Sequence, residues 1–160
     1  MEAALMEEAT MADIWLRAAT GRDQAAIRRI IWAARLNPAA LHWSRFVVAE
    51  QRGEIVGVGQ VKRHADGAAE LASLAVLPGR QGGGAGSILV WTLLRRAPGL
   101  IYLRCAGHNE GFYRRFGFRT LAPSEMPPSL RRSYQSVNAV VGLFNCLGGD
   151  SERMLVMARP

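Results

Sequence analysis

The stretch Gln81-Gly82-Gly83-Gly84-Ala85-Gly86-Ser87 runs directly into Ile-Leu-Val-Trp-Thr-Leu-Leu. Four glycines in five positions lose conformational entropy on folding, so the loop has a task that side chains would obstruct. The apolar run behind it reads as a buried helix from about Gly86 to Arg96. A helix start leaves about four N–H groups without partners and carries a partial positive charge. A loop stripped of side chains lets a phosphate approach those groups closely. The segment therefore predicts an anion cradle anchored by a buried helix; a plain surface turn has no need of so much glycine.

The surroundings narrow the ligand. A nucleotide P-loop ends in Gly-Lys-Ser/Thr, and Lys62 is the only lysine in the chain. A dinucleotide fingerprint started at Gly82 and Gly84 puts its third glycine at Ser87. No acidic residue follows about twenty positions on within a suitable βαβ unit. Both readings are demoted.

The elements around the loop alternate. Asp13–Ala19 reads as a strand, and Thr20 with Asp23 as a capping-box start. Ile27, Ile30, Ile31 and Ala34 recur at helical spacing, and Asn37-Pro38 ends that helix. Two strands, 45–51 and 54–64, are joined by a turn at Arg52-Gly53, and a turn at Asp66-Gly67 leads into a strand over 69–76. After the glycine loop come a strand over 100–106, a short helix over 109–116 stopped by Gly117, and a strand over 118–121. Leu130, Tyr134, Val137, Val141 and Phe144 form a stripe predicted to cover the sheet, with a dimer contact as the other use, and a last strand spans 152–158. The fold class is mixed α/β with early antiparallel hairpins.

At 160 residues the chain reads as one domain over 11–160, after a loose leader over 1–10. The acidic start does not resemble a signal peptide. Cys105, Cys146 and three scattered histidines form no disulfide framework or metal pattern, which suits a reducing cytoplasm and no metal. No apolar run approaches the roughly 20 residues of a membrane span. The net charge of +7 attracts anions, whether a phosphorylated cofactor, an acidic substrate or nucleic acid. No recognition motif supports the last.

Val76, Pro78, Gln81, Gly84 and Gly86 together resemble the acyl-CoA-binding signature of the GNAT superfamily of N-acetyltransferases, V-x-P-x-x-[QR]-x-x-G-x-[GA]. Phe112-Tyr113-Arg114-Arg115-Phe116-Gly117-Phe118 is similar to that superfamily's second signature, a tyrosine four residues before a Gly-Phe pair. One departure is visible. The asparagine often found seven residues before the tyrosine and the alanine three before it are Ala106 and Glu110 here; Asn109 reads as a helix cap.

The resemblance implies an α+β fold: a mostly antiparallel twisted sheet flanked by helices, in which the strand Glu70–Val76 splays from the strand Leu100–Cys105. It implies acetyl-CoA as donor and a small-molecule amine as acceptor, with no nucleic acid or membrane partner, in a monomer or homodimer. Backbone groups of Leu74, Ala75 and Val76 would meet the pantetheine arm and the acetyl oxygen. The N–H groups of Gln81, Gly82, Gly83, Gly84, Ala85, Gly86 and Ser87 would hold the pyrophosphate, with Arg80 or an arginine beside Tyr113 as an added cation. Tyr113 would be the general acid and Glu70 the general base, with His64 and His108 as lesser candidates. Against these stand plain structural roles: core packing for Tyr113, and for Glu70 a hairpin-edge pairing with Lys62 or Arg63. The segments 35–46 and 122–137 would shape the acceptor site, and the positive balance favours an amine that also bears a carboxylate. A catalytically silent acyl-CoA-binding module and a protein N-acetyltransferase are the alternatives.

Overall fold

The structure is a computed structural model and describes residues 13–149 and 151–160. The leader expected over 1–10 lies outside them. The described chain forms two compact units, one of residues 13–62 with Leu71–Arg96, the other of Arg63–Glu70 with Ala97–Pro160. Seven strands, mostly antiparallel, are flanked by helices, so the mixed α/β expectation holds.

The first unit carries strands β1 (Ile14–Ala18), β2 (Phe46–Gln51), β3 (Glu54–Arg63) up to Lys62 and β4 (Ala69–Val76) from Leu71 on, neighbours in that order. β1 and β2 are antiparallel with Leu16 opposite Ala49, and β2 and β3 with Val48 opposite Val58. Arg52 and Gly53, both at positive φ, close the β2–β3 turn. Helix α1 (Gln24–Ala33) buries Ile27, Ile30 and Ile31 completely against Phe46, Val48 and Val58. This is the face its periodicity marked.

The start of α1 is tied down by charge. The Asp23 carboxylate accepts bonds from the N–H and hydroxyl of Thr20 and from both terminal nitrogens of Arg17, at 2.7 and 3.0 Å. These bonds hold its carboxyl far below the usual carboxylate range, with Arg17 the largest cause.

Helix α2 (Ala85–Arg96) follows the glycine loop and buries Ala85, Leu89, Val90, Leu93 and Leu94. The expectation of burial all round fails: Trp91 is 48% exposed, because an apolar sequence cannot say which of its faces meets the sheet. The close side of α2 is set by two glycines in β3. A Cβ at Gly59 would stand 2.7 Å from Leu93 Cδ1, and one at Gly57 would stand 3.0 Å from Leu89 Cδ1.

The second unit holds β5 (Ile101–Ala106), β7 (Met154–Arg159) and β6 (Arg119–Thr120), in that order and antiparallel, with Leu103 opposite Met157. Helix α3 (Glu110–Arg114) ends before Gly117, which sits at φ +85°. Helix α4 (Pro128–Cys146) buries Leu130 with Leu121, Met126, Val156 and Ala158.

The predicted α4 stripe follows Leu130 inward only in part: Tyr134 packs against the same cluster and Val141 is half-buried, but the other two positions are not. Val137 and Phe144 are 40% and 51% exposed. Two asparagines hold that half of the helix instead. Asn138 exchanges both its amide bonds with the backbone of Met154, and Asn145 does the same with Ser151.

Candidate active site

The glycine loop behaves as its sequence requires. Gly79, Gly82 and Gly84 take φ of +83°, +83° and +87°, a backbone region costly for any residue with a Cβ. The first helical bond of α2 runs from the Ile88 N–H to the Gly84 carbonyl at 3.0 Å. From Gln81 to Ser87, no main-chain N–H donates to another described group. These successive donors stand at the positive end of a helix, an arrangement able to accept an anion. The Gln81 amide donates to the Val76 carbonyl at 3.3 Å, tying the loop back to the end of β4. Arg80, considered above as a phosphate ligand, is engaged elsewhere: it bonds Glu54 at 3.0 Å and Gln51 at 3.3 Å.

β4 is broken at Ser73, which lies at φ +53° inside the strand. A non-glycine residue there is strained by about 1–3 kcal/mol unless its surroundings hold it. The hold is visible. Gln60, fully buried on β3, donates to Ser73 Oγ at 3.0 Å and to the Ala40 carbonyl at 3.2 Å. Up to Ser73 the strand is buried residue after residue; beyond it only Ala75 is, between half-buried Leu74 and Val76. The strained residue thus stands just ahead of those expected to meet the acyl arm.

Tyr113 and Glu70 both lie in the second unit. Tyr113 is buried, its ring edge-on to Phe112 and Phe118. Burial, with the neighbouring Cys105 as a lesser cause, pushes its phenol well above the ordinary range. Its proton is therefore retained at neutral pH, and no described group accepts it. Burial likewise pushes the Cys105 thiol up to about 11, so it offers no thiolate at neutral pH.

Glu70 is 2% exposed and pairs with neither Lys62 nor Arg63 as the hairpin-edge alternative had it. Arg104 on β5 grips both carboxylate oxygens, Nε to Oε1 at 2.7 Å and Nη2 to Oε2 at 3.2 Å. His64 Nε2 lies 2.6 Å from Oε2. Ser133 on α4 receives Arg104 Nη1 at 2.6 Å. The other histidine candidate, His108, is paired at the surface with Glu152.

A model of the acetyltransferase (GNAT) family matches residues 9–118. The chain belongs to the GNAT family.

Two amino-acid acetyltransferases of Neisseria meningitidis, from serogroups A and B, are each 32% identical to this GNAT chain over 100 residues. The match covers 59% of this chain and 23% of each relative, so the chain spans about a quarter of the length of those curated relatives. Among solved structures, N-acetylglutamate synthase from Neisseria gonorrhoeae, complexed with coenzyme A and L-arginine, superimposes with a TM-score of 0.67 at 22% identity. That alignment covers 89% of this chain and 32% of the synthase. The ribosomal-protein-S18-alanine N-acetyltransferase of Escherichia coli gives 0.62 at 18% identity, covering 92% and 93%. These likenesses place the fold within the GNAT family.

Several residues of this GNAT chain's site were not found from sequence. Arg104 and Ser133 look like an ordinary strand arginine and helix serine, and only the fold brings them to Glu70. Asp66 was read as a turn residue. It also accepts the Ser129 N–H at 3.0 Å in the first turn of α4, a capping role that its position 63 residues upstream hides. Gln60 carried a signal, as a lone amide in an otherwise apolar strand centre. Asn109 stands at the start of α3 without the capping bond expected of its side chain.

Within the first unit, a cleft of about 430 Å³ is lined by Arg28, Trp32, Pro38, Leu41 and His42. Most of these belong to, or border, the segment expected to shape the acceptor site. Trp43 turns the other way and packs on the core of Ile27 and Phe46. No helix among the described residues is long and apolar enough to cross a membrane.

Proposed function

We propose that this GNAT protein transfers an acetyl group from acetyl-CoA directly to the primary amine of a small molecule, an amino acid by preference. The chain from residue 11 onward would act as a single acyltransferase domain. The observation that carries the reading is the run of N–H donors from Gln81 to Ser87, which meet no main-chain acceptor among the described residues and so are available to an anion. Its residues fit a diphosphate-bearing carrier: the glycines leave room, and Gln81 is bonded to the end of β4.

Bound acetyl-CoA would supply the acetyl group and a thiolate leaving group. The main-chain N–H groups of Gln81–Ser87 hold the diphosphate, and a backbone N–H at Leu74 or Ala75 is the donor for the acetyl oxygen, where charge grows during transfer. Tyr113 Oη keeps its proton at neutral pH and gives it to the departing sulfur. Glu70, with His64 hydrogen-bonded to it, forms the pair that serves the opposite transfer, drawing a proton from an acceptor amine that is otherwise almost wholly protonated, with pKa ~10.4. The protonated, buried Cys105 supports direct transfer over an acyl-enzyme on that thiol. Holding both reactants in place supplies much of the rate.

The acceptor class is supported by Arg28 in the cleft of the first unit, a cation suited to a carboxylate. The names of the Neisseria relatives, amino-acid acetyltransferases, point the same way. The test is thiol release from acetyl-CoA across amino acids, polyamines, aminoglycosides and peptides, read beside thermal stabilisation by the donor. Amino acids are expected to lead the panel. A polyamine acetylated faster than every amino acid overturns the acceptor class, and a melting temperature indifferent to millimolar acetyl-CoA overturns the donor.

A further inference from the structure

The Glu70 carboxylate is fully engaged. Arg104 takes both oxygens and His64 takes Oε2 as well, so the side chain is positioned to hold a partner more than to collect a proton from solvent or substrate. His64 differs. Its backbone is fixed in the turn after β3, its N–H bonding the Ala68 carbonyl at 2.9 Å and its carbonyl receiving the Gly67 N–H at 3.0 Å. A carboxylate only accepts hydrogen bonds, so in the neutral imidazole the proton sits on Nε2, toward Glu70. The lone pair is then on Nδ1, which meets no described group, and the side chain is 23% exposed. The charge around the ring comes from Glu70 on β4, Arg104 on β5 behind the carboxylate, and Asp66 in the turn.

We propose that His64 is the proton acceptor for the amine, with Glu70 as the positioning residue that fixes its tautomer and Arg104 as the clamp that fixes Glu70. The proposal rests on the acetyl-transfer reading above and names the atom that carries one of its steps. In that step an N–H bond of the acceptor ammonium breaks and an Nδ1–H bond forms. The amine keeps the electron pair, and the positive charge moves to the imidazolium, facing a carboxylate. The proton then leaves to solvent from the exposed side of the ring. An imidazole is suited to this because its ordinary titration range lies near neutrality.

The test uses the full chain with acetyl-CoA and the best amine of the panel. His64→Gln can keep a donor toward Glu70 and loses the basic ring nitrogen. Turnover is expected to fall about 100-fold while KM for acetyl-CoA and the melting temperature hold, and the loss of rate on acidification expected of the wild type should vanish. Glu70→Gln should retain that acid limb at reduced rate. A His64→Gln protein with wild-type turnover and pH profile overturns the role alone. Nitrogen NMR of the wild-type ring adds a readout independent of turnover: the Nε2–H tautomer is expected, and Nδ1–H overturns the proposal. Wild-type protein that releases no thiol with any amine sinks the acetyl-transfer reading itself, and this role with it.

Discussion

The ring of Tyr113 meets that of Phe118 edge-on, with centroids 6.1 Å apart and planes at 75°. Stability there comes from ring against ring, while the phenol oxygen bonds no described group. Tyr113→Phe therefore keeps the packing and removes only the hydroxyl. We expect an unchanged melting temperature, unchanged acetyl-CoA binding and turnover lower by about 10²-fold. Stopped kinetics beside a thermal melt decide it; full turnover would remove Tyr113 from the chemistry.

Asp23 gives the fold an acid-sensitive joint. Its folded carboxyl lies well below the ordinary ~3.9 of an aspartate, chiefly through Arg17. A depressed carboxylate stabilises the fold fully above the unfolded value, and that stabilisation is lost as pH falls through the folded one. Urea unfolding should thus show stability declining below about pH 4. Asp23→Asn should cost about 1.5–3 kcal/mol at pH 7 and flatten the acid limb. An equally steep limb in the variant would place the acid sensitivity elsewhere.

Gly84 sits at φ +87° where the loop enters α2. Gly84→Val adds a branched side chain at the cradle and forces a conformation costing about 1–2 kcal/mol. Acetyl-CoA affinity should drop at least tenfold by calorimetry. Gly53→Val, at φ +79° in the β2–β3 turn, should carry comparable strain with no loss of affinity, which separates the cradle from general destabilisation.

Gly59 allows Leu93 to approach β3. A Cβ at 2.7 Å from Leu93 Cδ1 meets a side chain only 2% exposed, with little room to yield. Gly59→Ala should destabilise by about 1–3 kcal/mol, measured by urea unfolding. A neutral result would mean that the α2 face repacks freely.

The legible parts were those written in local pattern. Ile27, Ile30 and Ile31 mark one helix face by spacing alone, Asp66-Gly67 marks a turn, and Gly82 and Gly84 ahead of α2 take a φ that a residue with a Cβ reaches only with strain. Family membership was legible too, since Gln81, Gly84 and Gly86 on one side and Tyr113 on the other keep fixed spacings. Less legible was the fate of apolar stretches. Trp91 and Phe144 look as buried as Leu89 and Leu130, because hydrophobicity records a tendency to leave water and not the direction of a neighbour.

Chain-local chemistry alone settled where the backbone turns and which face of α1 heads inward; each depends on φ or periodicity. Folding decided who stands beside Glu70. Arg104 lies 34 residues away along the chain and Ser133 further still, and a carboxylate's role follows from the charges packed against it. Ser73 teaches the same lesson, since its strained φ survives only because Gln60, thirteen residues earlier, is buried where it can hold the hydroxyl. Long-range partners of this kind leave no mark in local sequence, because Coulomb and hydrogen-bond energies depend on distance in space.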